Sequence, residues 1–486
     1  MATMGAAGAQ HEEGTTIIMT VDFLQIPTLD DDGAVATFAP AAFEQADVTV
    51  RRGAHADQEV GEAQALVAVV GLGHAGLSSA MALRRAGLRI VGIETSPSGL
   101  ADIRCGRAAL PEDLRSQLRE QCRGAAFELT DSIEAASGAD MVLICVPATL
   151  DRQRRPNSEG LKRSCASVVR HARAGQTLVL TSTSCVGSTR KLLVEPLQER
   201  GLHVGEDVFV AFCPEHVDPD EADGGQAQPR LIVGAVSETC FRHASALLRN
   251  MGQDLLRVSS PETAEMVRLY ESTFEAVNVA LAFELADACR TQGVSPAEVA
   301  DAAARPSGAR SRSACPAMPA HRVASDPHHL LHPLRERGRP ATLAEEALRR
   351  VDARPRRMAM RAYDVLARSA KQIRDARVLV VGASSDVGFG ERREAPAVEI
   401  IERLRATGAQ VDFHDPLVPV LVLDGEDVYS VDPDPRRDVS GFGPEDYDLA
   451  IVVTIREGYD YGWLRRCPQV LDCTYRQRTG RRYYLP

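Results

Sequence analysis

Gly71, Gly73 and Gly76 stand as G-x-G-x-x-G, and Glu94 follows at the end of the next β-branched stretch. In that pattern the first glycine allows a tight turn, the second lets the backbone approach a pyrophosphate, and the third lets helix and strand pack closely, so that a helix N-terminus faces the anion. The acid can hydrogen-bond both ribose hydroxyls and would repel a 2′-phosphate, which selects NAD over NADP. The competing reading is a glycine turn of an α/β domain that binds nothing. His321, His328, His329 and His332 cluster locally, but no carboxylate spacing or His-Glu helix motif accompanies them; they read as ordinary loop histidines, and no metal site is expected. The 11 cysteines lack CxxC pairs and read as reduced, mostly buried thiols.

The elements that must position these residues alternate. VAVVGLGHAGLSSAMALRRAGLRIVGIE is a strand, a glycine turn, an amphipathic helix and a second strand, and further strands are expected at 141–146, 177–182 and 207–212. Alternating strands and helices imply a mostly parallel sheet covered on both faces. Residues 262–305 keep helical apolar spacing with no turn signal until Gly293, which predicts a long central helix followed by shorter ones. The Pro-, Arg-, Ser- and His-rich stretch 306–340 reads as a loop region, and a second strand–glycine–helix–strand unit starts at Ala376. The expected architecture is α/β: two Rossmann-like domains joined by a long central helix. Its parts are an N-terminal extension over 1–64, with one apolar alternation from Thr16 to Leu24, a cofactor domain over 65–260, a central helical dimerisation region over 261–305, a loop and helical connection over 306–375, and a second domain over 376–486.

At 486 residues, 44% apolar and 25% charged, the chain is that of a folded globular protein of roughly two to four domains. A net charge of −11 argues against nucleic-acid binding by phosphate neutralisation. With no uninterrupted apolar run of about 18 residues and no basic n-region, a cytoplasmic protein without a membrane partner is expected. Of 56 basic residues only Lys162, Lys191 and Lys371 are lysine, as in a GC-rich bacterial genome, so a Lys-to-Arg difference fits genomic drift.

Several ordered motifs over about 65–480 resemble the nucleotide-sugar dehydrogenases, the UDP-glucose, UDP-N-acetylglucosamine and UDP-N-acetylmannosamine 6-dehydrogenase family. VGLGHAGLSSA is similar to the family's VGLGYVGLPLA, ICVPATLD to cVPTPLd, TSTSCVGST to eSTvyPGTT and FCPEHVDP to SPERvdPG. AEMVRLYESTFEAVNVALAFELA resembles AElvKl.eNtfR.vNIAl.NElA, and REAPAVEIIERLRATGAQVDFHDPLVP resembles the second-domain ReSPal motif. The resemblance implies an NAD-dependent, homodimeric enzyme that oxidises a primary alcohol of a UDP-sugar to a carboxylate by two hydride transfers, through a cysteine thioester.

It implies that Val146, Pro147, Thr183 and Arg393 join the glycines and Glu94 around the cofactor, and that Glu215, Arg268, Ser272, Asn278 and His321 face the substrate. Thr183, Glu215 and Asp326 match family catalytic positions. Three others depart: Arg268 replaces a lysine, Ser272 an asparagine, and Arg322, by a gapless count from Pro306, the nucleophilic cysteine. A guanidinium cannot form a thioester, and because it stays protonated it cannot exchange a proton as a lysine can. Cys315 is the alternative thiol in the same loop. In the second domain Asp386 stands where a substrate-contacting lysine aligns. Glu215 or Asp326 is expected to pair with Arg322, since a buried unpaired guanidinium is costly. Two functions remain open: an NAD-dependent oxidoreductase restricted to a single hydride transfer or an oxidation followed by re-reduction, and a catalytically inactive binding or scaffold partner.

Overall fold

In this computed structural model the described residues run from 65 to 484, apart from 107–111, 215–229, 305–320, 384–395, 433–442, 475–482 and a few further positions. The chain divides into a first unit, Met1–Gly61, and a second, Glu62–Pro486. The first lies outside the described residues, and with it the alternation from Thr16 to Leu24.

β-branched runs form the first sheet: β1 (Leu66–Val70), β2 (Arg89–Ile93), β3 (Phe127–Thr130) and β4 (Met141–Ile144). A two-residue hairpin, β5 (Thr149–Leu150) with β6 (Pro156–Asn157), interrupts it before β7 (Thr177–Leu180), β8 (Phe209–Phe212), β9 (Arg230–Ala235) and β10 (Asp254–Val258). The eight strands lie in the order β10-β9-β8-β7-β4-β1-β2-β3, and only the β8–β9 pair is antiparallel. Helices α1 (His74–Arg85), α2 (Pro97–Arg104), α3 (Glu112–Gln121), α4 (Glu159–His171), α5 (Glu195–Glu199) and α6 (Glu238–Leu248) connect these strands. Two apolar clusters, one around Val67, Leu77 and Met141 and one around Ala68, Leu161 and Leu178, take alternate residues of the same strands, so both faces of the sheet are covered.

The long helix is α7, Pro261–Thr291, started by Ser260, whose hydroxyl accepts from Thr263 N–H, and ended before Gly293 at φ +73°. α8 (Pro296–Ala304) follows it. The expected loop over 306–340 is corrected from His321 onward, where α9 spans His321–Glu336 and contains both Pro327 and Pro333; 306–320 lie outside the described residues. Interior prolines cost helix hydrogen bonds, yet Val323 and Leu331 are fully buried against Ala276 of α7 and Leu348 of α10 (Thr342–Asp352), and tertiary burial outweighs local propensity. α11 (Arg354–Arg368) leads into the second domain.

There β11 (Arg377–Val381), α12 (Pro396–Ala406), β12 (Gln410–His414), a hairpin of β13 (Val420–Leu423) and β14 (Glu426–Tyr429), β15 (Leu449–Val452), β16 (Val470–Asp472) and β17 (Tyr483–Tyr484) follow. Its parallel sheet has the order β12-β11-β15-β16-β17. The expected α/β architecture of two Rossmann-like sheets with a long helix between them is the one observed.

Candidate active site

In the first sheet β1 is followed by β2 and β3 on one side and by β4 on the other, so the strand order reverses between β1 and β4. Ligands of open α/β sheets lie at the carboxyl ends of the strands beside such a reversal. The glycine turn sits there. Gly71 has φ +88°, and a Cβ on it would lie 2.9 Å from the Cys145 carbonyl at the end of β4. A Cβ on Gly76 would lie 2.0 Å from the Gly71 carbonyl, so α1 closes onto the turn only with glycine at that position. Around Gly73, by contrast, nothing lies within 4 Å of a Cβ. α1 begins after Gly73 with no side-chain cap, so its positive end faces the crevice where an anion would lie.

Glu94 completes this end of the crevice. Its carboxylate accepts from Leu72 N–H at 3.0 Å and from Ser96 N–H at 2.8 Å, which aims it at the turn and leaves lone pairs for ribose hydroxyls. Val146 and Pro147 follow β4, and Val146 Cγ2 would lie 3.0 Å from a Cβ on Gly71. An open turn, an uncapped helix and an oriented acid fit a dinucleotide.

The second domain repeats the device and closes it. Gly382 follows β11 at φ +82°, and Asp415 after β12 accepts from Ala383 N–H at 2.8 Å and Leu417 N–H at 2.9 Å, as Glu94 does from Leu72 and Ser96. The Asp415 side chain is fully buried with Arg456 Nη2 3.4 Å away, so it has no face to offer a ribose.

Thr183 comes from the carboxyl end of β7. The hydroxyls of Thr181 and Ser182 donate to the Ile144 carbonyl at 3.0 and 3.1 Å, pinning the start of this loop to β4 and leaving Thr183 half-buried. On α7 and α9 the structure brings three of the expected residues together. Ser272 Oγ donates to Asp326 Oδ2 at 3.1 Å, and Arg268 Nε lies 3.2 Å from the same oxygen. The Arg268 contact is an ion pair whose N–H is not aimed at the oxygen. Ser325, to which the sequence reading gave no role, donates to Asp326 Oδ1 at 3.4 Å. The carboxylate is buried and its charge is balanced by a permanent cation.

Other expected residues lie elsewhere. Asn278 is on the opposite, exposed face of α7, and its amide donates to the Phe274 carbonyl at 2.8 Å; it is not beside Arg268 and Ser272. His321 and Arg322 occupy the first turn of α9, but their side chains lie outside the described residues. Glu215, Cys315, Asp386 and Arg393 lie outside them altogether. The pairing expected for Arg322 is therefore not described, and the described partners of Asp326 are Arg268, Ser272 and Ser325. Among the described residues no group of three or more His, Cys, Asp or Glu is placed to hold a metal ion. On α9, burial and the neighbouring Arg154, His329, Arg335 and His332 push His328 down to about 4.

The sequence reading also missed Glu265. It is 1% exposed in the first turns of α7 and accepts from Gly187 N–H, Thr189 N–H and Thr189 Oγ. The available signal was an acid on the helix face that otherwise carries Ala264, Leu269 and Ala276.

A doubly wound sheet with an intact glycine turn and oriented acid, followed by a long helix whose polar groups meet α9 and then by a second α/β sheet, defines an NAD-binding dehydrogenase fold. Residues 65–252 match the NAD binding domain of the UDP-glucose/GDP-mannose dehydrogenase family and residues 262–352 its central domain, together more than half of the chain. The chain belongs to that family, and its cofactor is NAD. It is 29% identical over 356 residues to the UDP-N-acetyl-D-mannosamine dehydrogenase of Pyrococcus horikoshii, covering 72% of this chain and 84% of that one. It is 27% identical over 351 residues to the enzyme of the same name from Escherichia coli strain K12, covering 70% and 82%. The fold is that of the UDP-D-ManNAc dehydrogenase structure from P. horikoshii, with a TM-score of 0.70 at 24% identity over 86% of this chain and 98% of that one. A UDP-glucose dehydrogenase from Pyrobaculum islandicum superposes with a TM-score of 0.69 at 22% identity, over 90% and 98%.

Proposed function

We propose that the protein is an NAD-dependent oxidoreductase acting on a nucleotide sugar or a related metabolite and that it stops after one hydride transfer, or re-reduces its product, without forming an acid. The observation that carries this reading is the buried Arg268–Ser272–Asp326 constellation of α7 and α9, on the same chain as an intact NAD turn. When bound, NAD would take the hydride of a CH–OH carbon, and the hydroxyl proton would pass to Glu215 or Asp326, the carboxylates at the family's catalytic positions. Arg268 offers its guanidinium to the oxygen of that carbon, Ser272 holds Asp326 in place by donating to it, and Thr183 adds a hydroxyl from the end of β7. Arg268 stabilises negative charge but does not exchange a proton at neutral pH. The second oxidation of the dehydrogenases this chain resembles needs a thiol, and Arg322 holds that position in the gapless count.

The alternative of a non-catalytic binding partner is favoured by one detail: Ser272 and Ser325 each donate to one oxygen of Asp326 and Arg268 forms an ion pair with it, so both oxygens are already engaged within the protein. A homodimer completes the reading, because Tyr270, Phe274, Leu281 and Leu285 form an exposed apolar stripe along α7, with the rings of Tyr270 and Phe274 stacked at 6.2 Å. Leu269 and Val277 of the same helix pack inward.

The test is incubation of the purified protein with NAD and a panel of UDP-sugars, followed by absorbance at the NADH band and mass spectrometry. NADH growth with a carbonyl or epimerised product supports the proposal. NAD binding without turnover on any sugar supports the non-catalytic reading. A uronic acid lost on Cys315→Ser refutes the missing-thiol argument, whereas acid formed only by Arg322→Cys supports it.

A further inference from the structure

Two of the contacts that hold the start of α7 on the cofactor domain are buried. At the first, a Cβ on Gly234 of β9 would lie 2.1 Å from the Ser260 carbonyl and 2.9 Å from Ala264 Cβ, so the start of α7 lies directly on the sheet. The second is Glu265. One oxygen accepts Gly187 N–H at 2.5 Å; the other accepts Thr189 N–H at 2.8 Å and Thr189 Oγ–H at 2.6 Å. Glu265 and Thr189 are both fully buried, while neighbouring Glu262 is occupied by Arg190 at 2.8 Å.

These donors sit at the start of the helical segment that leads through 190–194 into α5, where backbone N–H groups have no partner within their own helix. Glu265 therefore supplies from another element the cap this segment lacks, and neither a cap from its own chain neighbours nor a cation takes part in the three bonds. Glu265, Arg268 and Ser272 recur at helical spacing on one buried face of α7. The loop carrying Thr183 thus hangs between two clamps, Ile144 at its start and Glu265 at its end.

We propose that Glu265 is a positioning residue: through Gly187 and Thr189 it sets the Thr183 loop against the face of α7 that bears Arg268 and Ser272. This rests on the reading of Thr183 and Arg268 as groups that meet cofactor and substrate. A glutamine at 265 keeps the shape but turns a donor toward one of the backbone N–H groups, so at least one bond is lost and the loop is released.

The test uses the full chain. Hydrogen exchange over 183–191 is compared for wild type, Glu265→Gln, Thr189→Val and Thr189→Ser, with the β1 segment as control. Exchange at Gly187 and Thr189 rises about tenfold or more in Glu265→Gln and Thr189→Val and returns toward wild type in Thr189→Ser. Unchanged exchange in both weakened variants overturns the anchor, and Thr189→Val carries the test where Glu265→Gln does not fold.

NADH titration and sugar turnover then separate positioning from bulk stability. NADH affinity stays within about threefold while turnover falls roughly 30- to 100-fold, as misplacement by about an ångström produces. Equal losses in affinity and turnover, or unchanged turnover, overturn the positioning role. Where wild type turns over no sugar, the oxidoreductase reading fails by itself. The emission of bound NADH then replaces turnover, and an emission unchanged in Glu265→Gln overturns positioning.

Discussion

Replacing Asp326 by asparagine removes one charge from a buried pair without changing its shape. The side chains of Arg268 and Asp326 are 11% and 10% exposed, so the guanidinium left behind has little access to water. At 3.2 Å and an effective dielectric of about 20, the attraction between the charges is on the order of 5 kcal/mol, and desolvation offsets much of it. The net value of the pair is small, but the cost of breaking it from one side is large, about 3–5 kcal/mol. With an m-value of about 3 kcal/mol/M in urea, the unfolding midpoint of Asp326→Asn falls by roughly 1–1.7 M. Arg268→Leu alone leaves a carboxylate held only by Ser272 and Ser325 and falls by a similar amount. The double variant leaves no charge stranded, so its loss is smaller than the sum of the two by about 2–3 kcal/mol. Urea titrations of all four proteins, followed by far-UV circular dichroism, measure the cycle. A single-variant loss under about 1 kcal/mol, or strict additivity, refutes a buried ion pair between α7 and α9.

Glu94→Ala removes the acceptor that faces the glycine turn and should weaken NAD about 10- to 100-fold while narrowing its preference over NADP; calorimetric titration of both cofactors against wild type and variant measures it, and equal wild-type affinities contradict the assignment of Glu94. Phe274→Glu with Leu281→Glu places two charges on the exposed stripe of α7 and should halve the mass seen by light scattering at micromolar concentration; a wild-type mass already that of one chain rules the dimer out. Burial lowers the pKa of His328 from about 6.5 in the unfolded chain to about 4 in the fold, so the unfolded chain binds the extra proton first. Its contribution to stability is present above pH 6.5 and is lost as pH falls toward 4. Thermal melts between pH 7 and 4.5 should show a shallower acid limb for His328→Leu than for wild type, and parallel limbs count against a neutral half-buried imidazole.

The glycine turn and its acid were legible in the sequence because their physics is local. The positive φ of Gly71, the close approach at Gly76 and the strand–turn–helix order each depend on residues within one unit of chain. The central helix was legible for the same reason, since apolar spacing and the absence of breakers are read along the chain. α9 was not. Pro327 and Pro333 argue locally for a loop, and only the burial of Val323 and Leu331 against α7 and α10 makes a helix there. Nor could composition tell that Asn278 faces outward while Ser272 faces inward, because the apolar stripe of α7 covers more than one side and tertiary packing chooses among the faces. The pairings that define the site join residues far apart in the chain, Ser272 with Asp326 across 54 residues and Glu265 with Thr189 across 76. A buried carboxylate takes whichever donors the packed helices bring to it, and that choice is made only when α7 lies on both the sheet and α9.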